Sequence, residues 1–376
     1  MMMAKGHQLR RNRNTIGLAC GLFVGLLFGM LIGRQLFPST GSSGSSTGAG
    51  RPPELFIMSP CLSDAEAASL QLKHLNKHAK HKATCDDVGL CTCESDEYYF
   101  DGKECLAFEG SPWSTMFRTL RKKWHEIPFS KEEYKKGKIV HTGSLRAFSD
   151  DLVKRSDRDI AKQWQSQAPH DTFTDFYASI FKGKKILDIG SGMARQTLQF
   201  AQNGAHVTFC DVVPTNLELI RRTANYLGFG HRVQTILIED LQTFDEDLAA
   251  HASADSSFFP LDVITAFGSM HHAPREFIQK EVNTLLKHLK VGGTWLQLAY
   301  PLKRWIDYGA PSFNVGGWGG DDGVEKTPWA EWYEPGKLMR NLAPHKFYEK
   351  WCGIINKKDF IWIELTYRGT VNATMV

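Results

Sequence analysis

Residues 184–204 read KKILDIGSGMARQTLQFAQNG, and this stretch decides the fold. Ile186 to Ile189 is an apolar run of the right length for a buried strand. Gly190, Ser191 and Gly192 follow as a tight turn without bulky side chains, which lets the backbone approach a ligand closely. From Arg195 to Ala201 a helix begins. Dinucleotide-binding proteins use the same device, so the neighbouring segments have to decide between readings.

Working outward, HVTFCDVVPTNLELIRR gives a second strand ending in Asp211, about twenty residues past the loop, where a carboxylate can accept both hydroxyl hydrogens of a ribose. VQTILIEDLQTF gives a third strand ending in Glu239 and Asp240, and LDVITAFGSMHHA a fourth. NTLLKHLKVGGTWLQLAYP supplies a helix, a turn at Gly292-Gly293 and a fifth strand, and FIWIELTYR at 360–368 alternates like a closing edge strand. Alternating strands and helices imply an α/β fold, a parallel sheet with helices on both faces. A dinucleotide fingerprint would put its third Gly at Arg195, a bulky charge where helix and strand should pack. Taken singly, Asp211 and Asp240 also read as surface caps or turn acids; their placement at successive strand ends argues for a ligand.

Over roughly residues 170–300 the chain resembles the class I S-adenosylmethionine-dependent methyltransferases, which have a Rossmann-like sheet. The family loop is an acid followed by G-x-G-x-G; here it is Asp188, Gly190 and Gly192, with Ala194 in place of the last Gly. The resemblance implies S-adenosyl-L-methionine as cofactor. Asp188 would help to hold its amino-acid part, Asp211 its ribose and Asp240 its adenine, with Ser191, Val212, Glu239 and Leu241 as neighbouring contacts.

Ligands of open α/β sheets bind outside the carboxyl ends of the strands. His271 and His272 leave the fourth strand there. They read as wall of the donor pocket or as a base taking the proton from an accepting hydroxyl, for which an imidazole pKa near ~6.5 is suited. A metal site would need further ligands, and adjacent residues usually point apart. Past the fifth strand, Trp305, Trp318, Trp329 and Trp332 lie among acids including Glu331. Exposed rings beside carboxylates fit a sugar or an organic cation; the competing reading makes these rings the core of a loop-rich insert.

The amino terminus carries a different signal. TIGLACGLFVGLLFGMLIG, residues 15–33, is uncharged and just long enough to cross a bilayer, and residues 15–37 are expected to form a signal anchor. Lys5, Arg10, Arg11 and Arg13 precede it, so the positive-inside bias assigns residues 1–14 to the cytosol and the remainder to a lumen. A cleaved signal peptide is the alternative, although the run is long for one and lacks an A-x-A-like site. Gly17, Gly21, Gly25, Gly29 and Gly33 line one helix face and suggest a homodimer contact.

Residues 38–60 are a Gly/Ser-rich linker, and 61–111 hold Cys61, Cys85, Cys91, Cys93 and Cys105, five of the eight cysteines. In an oxidising compartment these imply disulfides; zinc is disfavoured by the C-x-C spacing. CDDVGLCTCESDEYYFDGKEC resembles the second half of an epidermal-growth-factor-like module, and that resemblance implies a Cys93–Cys105 pair, leaving Cys61, Cys85 and Cys91 open. AEAASLQLKHLNKHAKHKA reads as a helix with His74, His78 and His81 on a basic, solvated face.

The remaining residues, 112–376, are expected to form the methyltransferase domain. With 376 residues and a net charge of +4, the chain shows no nucleic-acid footprint. The expectation is a single-pass type II membrane protein of the Golgi or another endomembrane with a lumenal domain that O-methylates a glycan or sugar hydroxyl. A small-molecule or lipid acceptor is the alternative, as is a non-catalytic scaffold. The sequon Asn372-Ala373-Thr374 would be lumenal.

Overall fold

A computed structural model describes residues 59–75, 83–95, 98–107, 151–168, 172–241, 243–313, 330–355 and 360–370. Its centre is a seven-stranded sheet. Five parallel strands are β5 (Lys185–Ile189), β6 (His206–Asp211), β7 (Val233–Leu237), β8 (Leu261–Phe267) and β9 (Leu289–Ala299). Two further strands, β10 (His345–Ile355) and β11 (Phe360–Thr370), form a hairpin in which β11 pairs antiparallel with β9. The spatial order is β10-β11-β9-β8-β5-β6-β7. The chain runs outward from β5 to β7 and then returns to β8 beside β5, so the switch point of the sheet lies between the carboxyl ends of β5 and β8.

Both faces are covered, which explains why β5 is apolar throughout. Ile186 enters the core on one face and Leu187 the core on the other, the period of two expected of a strand. Helices α2 (Asp157–Gln167), α3 (Thr172–Ile180), α4 (Thr197–Gln202), α5 (Pro214–Tyr226), α6 (Phe244–Ala254) and α7 (Arg275–Leu286) fill the crossovers and the approach to β5. Ser156 starts α2 as a capping residue, its hydroxyl accepting from the Asp159 amide at 3.2 Å. Pro214 stands at the first position of α5, where a missing N–H costs nothing.

Two expectations are corrected. Gly292-Gly293 is no turn before the fifth strand but an irregularity inside β9: pairing jumps from Leu261↔Leu289 to Val263↔Thr294, with Gly292 at φ 84°. Residues 360–368 do not close the sheet. They are flanked by β9 and by β10, and β10 is the outer strand. The cysteine-rich segment is tied to the outer strand. Ser59 bridges Ile354 on β10, and Cys61 is bonded to Cys352 of that strand, Cα–Cα 6.0 Å.

From there α1 (Asp64–Leu75) packs against two short helices beyond β9, α8 (Leu302–Asp307) and α9 (Pro335–Asn341). The contact is close: a Cβ on Gly336 would lie 2.0 Å from the Asp64 carboxylate. Two small hairpins follow, β1 (Ala83–Cys85) with β2 (Cys91–Cys93) and β3 (Tyr98–Phe100) with β4 (Cys105–Ala107). Cys85–Cys91 and Cys93–Cys105 staple them. Arg340 reaches Asp87 at 3.0 Å. The epidermal-growth-factor-like comparison stays a likeness of sequence.

The anchor at 15–37 and its glycine face, the linker up to residue 58, His78, His81 and the sequon at Asn372 lie outside the described residues. Among the described residues no helix is long and apolar enough to cross a membrane.

Candidate functional site

The switch point brings the glycine turn and two acids together. Gly190 and Gly192 adopt φ 67° and 53°, a left-handed backbone that glycine reaches without steric cost. Gly190 also needs its missing side chain: a Cβ there would sit 2.4 Å from the Ser269 Cβ, and Ser269 donates its hydroxyl to the Ile189 carbonyl at 2.5 Å. At Gly192 an added Cβ meets nothing within 4 Å, so that side of the turn faces open space. The turn is tied to the second strand, because the Gly190 and Ser191 amides donate to the Cys210 carbonyl at 2.8 and 3.1 Å.

Asp211, buried at the end of β6, holds the same turn from its side chain. One oxygen accepts from the Gly192 amide at 2.6 Å and the other from the Val213 amide at 2.7 Å. Burial pushes its pKa up to about 6 against the opposing pull of these amides, so the carboxylate is charged at neutral pH. The Asn216 side chain and the Val212 amide are further hydrogen-bond partners of the same carboxylate.

Asp188 lies beneath the turn. It is 3% exposed, and its two oxygens accept from the hydroxyls of Thr265 and Thr197, each at 2.7 Å. Burial, opposed by those bonds, brings its pKa to about 7. Its position is that of a buried brace between β5, β8 and α4, beneath the turn. Thr197 and Thr265 were not singled out in the sequence, where a threonine carries no distinguishing pattern.

Glu239 and Asp240 follow β7, Glu239 exposed and Asp240 half-buried; Leu241 beside them is buried and Val212 half-buried. The Asp240 carbonyl accepts from the Phe244 amide at 3.1 Å and so closes the start of α6. Asp188, Gly190, Ser191, Gly192, Asp211 and Val212 therefore share the ends of β5 and β6, with Glu239 and Asp240 at the end of the adjoining strand.

His271 and His272 lie over the ends of β8 and β9. His271 is 0% exposed, its ring 4.0 Å from that of His272 and 4.4 Å from that of Tyr300. Neither of its ring nitrogens has a hydrogen-bond partner among the described residues. Burial, then the nearby His272 and the Arg304 cation, hold its pKa well below the usual value, so the imidazole is neutral. His272 is 6% exposed. Arg304 is also buried and stacks on the Tyr300 ring at 4.0 Å. Tyr300 and Arg304 escaped sequence reasoning, since only the register of β9 brings them to the histidines. Among the described residues no group of His, Cys, Asp and Glu could hold a metal ion.

The aromatic platform is corrected. Trp305 and Trp332 are each 1% exposed and stack on one another at 6.0 Å; they are core. Glu331 is buried too and pairs with the buried Lys337 at 2.6 Å, whose ammonium lies 3.8 Å from the Trp332 ring. Residues 332 and 333 are held against the sheet: Trp332 forms a parallel bridge with Tyr300, and the Tyr333 amide donates to the Tyr300 carbonyl at 2.7 Å. Trp318 and Trp329 lie outside the described residues.

Residues 186–293 match the family model described as a methyltransferase domain, a span running from β5 to the irregularity in β9. A 92-residue stretch is 34% identical to the ubiquinone biosynthesis O-methyltransferase of Pasteurella multocida (strain Pm70), covering 24% of this chain and 37% of that protein. The chain thus spans little more than a third of that curated relative. Among solved structures, TehB from Haemophilus influenzae matches with 18% identity and a TM-score of 0.37, over 56% of this chain and 66% of that one. Magnesium protoporphyrin IX methyltransferase (ChlM) from Synechocystis PCC 6803 with bound SAH matches with 13% identity and a TM-score of 0.37, over 68% and 95%. The described sheet is an α/β, Rossmann-like methyltransferase fold, mostly parallel and seven-stranded.

Proposed function

We propose that this protein is an S-adenosylmethionine-dependent methyltransferase that acts on a hydroxyl oxygen. The observation that carries the reading is the meeting of the glycine turn and the charged, buried Asp211 at the switch point. The residues present fit the donor: Gly192 leaves open space where a side chain would stand, and Asp211 sets an acceptor carboxylate beside it at the strand end, where a ribose diol would replace part of its present bonding. Once bound, the donor supplies an electrophilic methyl group on a sulfonium. Gly190 to Gly192 and Asp211 would hold it, with Glu239 and Asp240 toward its base, while Asp188 keeps the turn in shape from below.

On the acceptor side His272, the more exposed of the pair, is the candidate base, and His271 backs it as wall. A neutral imidazole is the form that can take a proton from a hydroxyl; burial holds the neighbouring His271 in its neutral form, so it adds no cation beside the base. A carboxylate ring around the acceptor is not needed for this role.

The acceptor we propose is a glycan or sugar hydroxyl, with the enzyme anchored by residues 15–37 as a type II protein in the Golgi or a related compartment and its domain in the lumen. The topology reading supports this, as does the name of the Pasteurella relative insofar as it is an O-methyltransferase; the buried Trp305 and Trp332 lend it nothing. The same name, with its ubiquinone, favours a lipid or small-molecule acceptor as the second reading. Incubating the full chain with methyl-labelled donor and a fractionated secretory-pathway extract tests the choice. Label in the glycan fraction is expected, label in the lipid or small-molecule fraction moves the assignment to the second reading, and donor binding with no label anywhere points to a non-catalytic scaffold.

A further inference from the structure

Asp101 is a buried acid in the cysteine-rich segment, far in sequence from the sheet, and it makes more bonds than its turn requires. One carboxylate oxygen accepts from the Lys103 and Glu104 amides, each at 2.9 Å, which closes the β3–β4 hairpin. Its other oxygen accepts from the Ser312 hydroxyl, and its carbonyl accepts from the Phe313 amide at 2.5 Å and the Ser312 hydroxyl at 3.1 Å. The ring of Phe313 meets Phe100 edge-on at 6.2 Å, and Gly102 at φ 95° leaves room for it, since a Cβ there would lie 2.8 Å from that ring. The hairpin that makes this grip is stapled by Cys93–Cys105, and Cys105 is the register partner of Phe100.

From Phe313 the contacts run straight to the histidines. The Phe313 carbonyl accepts from the Ala330 amide at 3.0 Å, and the next amide, Glu331, donates to the carbonyl of His271 at 2.9 Å. Trp332 and Tyr333 then lie along Tyr300, whose ring covers His271. The strap 330–333 is thus fixed at one end by the hairpin and at the other by His271 and Tyr300.

We infer that Asp101 is a positioning residue for the acceptor side: through Ser312, Phe313 and the strap it holds His271 sealed against Tyr300, and the Cys93–Cys105 staple maintains that hold. The inference rests on the methyltransferase reading only for the word acceptor; the coupling itself is a property of the fold. It assigns the disulfide segment a part in shaping the catalytic half, while the donor half, built on β5 and β6, is independent of it.

The test is diethyl pyrocarbonate modification of the full chain, mapped by tandem mass spectrometry, alongside calorimetry with S-adenosylmethionine. Neutral imidazoles react when they become accessible, so the rate at His271 reports local opening. Asp101→Ala and Ser312→Ala should raise the rate at His271 by about tenfold, the change expected for losing one or two side-chain hydrogen bonds. The half-buried His288, at the other end of the sheet, should stay at its wild-type rate, and donor affinity should stay unchanged. Cys93→Ser with Cys105→Ser should act in the same direction, and Asp101→Asn, which keeps an acceptor for the turn, should restore most of the protection. Unchanged protection of His271 in Ser312→Ala and Asp101→Ala overturns the inference, as does a rise at His271 and His288 together, which is general loosening. Failure of the wild-type chain to bind the donor would count against the methyltransferase reading and leave the coupling as measured.

Discussion

Ala194 stands at φ 48°, left-handed backbone at the position where the family loop has its last glycine. An L-residue there costs about 1–2 kcal/mol relative to glycine. The Ala194 methyl is buried, and its loss gives back about 0.8 kcal/mol. Ala194→Gly is therefore expected to leave stability level or slightly raised, by no more than about 1 kcal/mol. Ala194→Val puts a branched side chain where the backbone is already strained and should cost about 2 kcal/mol or more. Urea denaturation of both variants measures this; equal midpoints would contradict the strained-turn account. Residues at this scale were legible where chemistry and spacing coincide, as at Gly190, Gly192 and Asp211. The bracing role of Asp188 was not, because it depends on Thr265 and Thr197 meeting across two elements. The burial of His271 was also hidden, since the strap that seals it arrives from residue 331.

At the scale of elements, β5 to β9 were readable because strands buried on both faces are continuously apolar. The outer strand β10 was missed: HKFYEKWCGII is mostly exposed or half-buried over its first half, so it carries no apolar run to mark it. That strand in turn explains why 360–368 is flanked on both sides, and it receives the amino-terminal segment through Cys61–Cys352. Cysteine spacing does not determine connectivity, and a partner separated by 291 residues has no local signal. A bond closing so long a loop restricts the unfolded chain strongly. Replacing Cys61 and Cys352 by Ser is expected to lower stability by about 2–5 kcal/mol while sparing the donor half. A calorimetric melting temperature unchanged by the double substitution would contradict the structural weight given to this bond.

For the whole molecule, the cysteine-rich segment and the sheet are tied together, among the described residues, by Ser59 with Ile354, Cys61–Cys352, Asp64 against Gly336, Arg340 with Asp87, and Asp101 with Ser312 and Phe313. The sequence suggested a small module followed by a catalytic domain; side-by-side composition could not reveal that the two interlock. The central claim concerns the carboxyl ends of β5 and β6, where the turn and Asp211 meet. Titrating S-adenosylmethionine into the full chain by calorimetry tests it most directly. Wild type should bind at pH 7.5, and Asp211→Ala should bind at least ~100-fold more weakly, as expected for losing charge-assisted bonds to a diol. Because burial raises the Asp211 pKa to about 6, the carboxylate takes up a proton and loses acceptor capacity as pH falls below that value, so wild-type affinity should decline there. No binding by wild type, or equal binding by Asp211→Ala, would contradict the account.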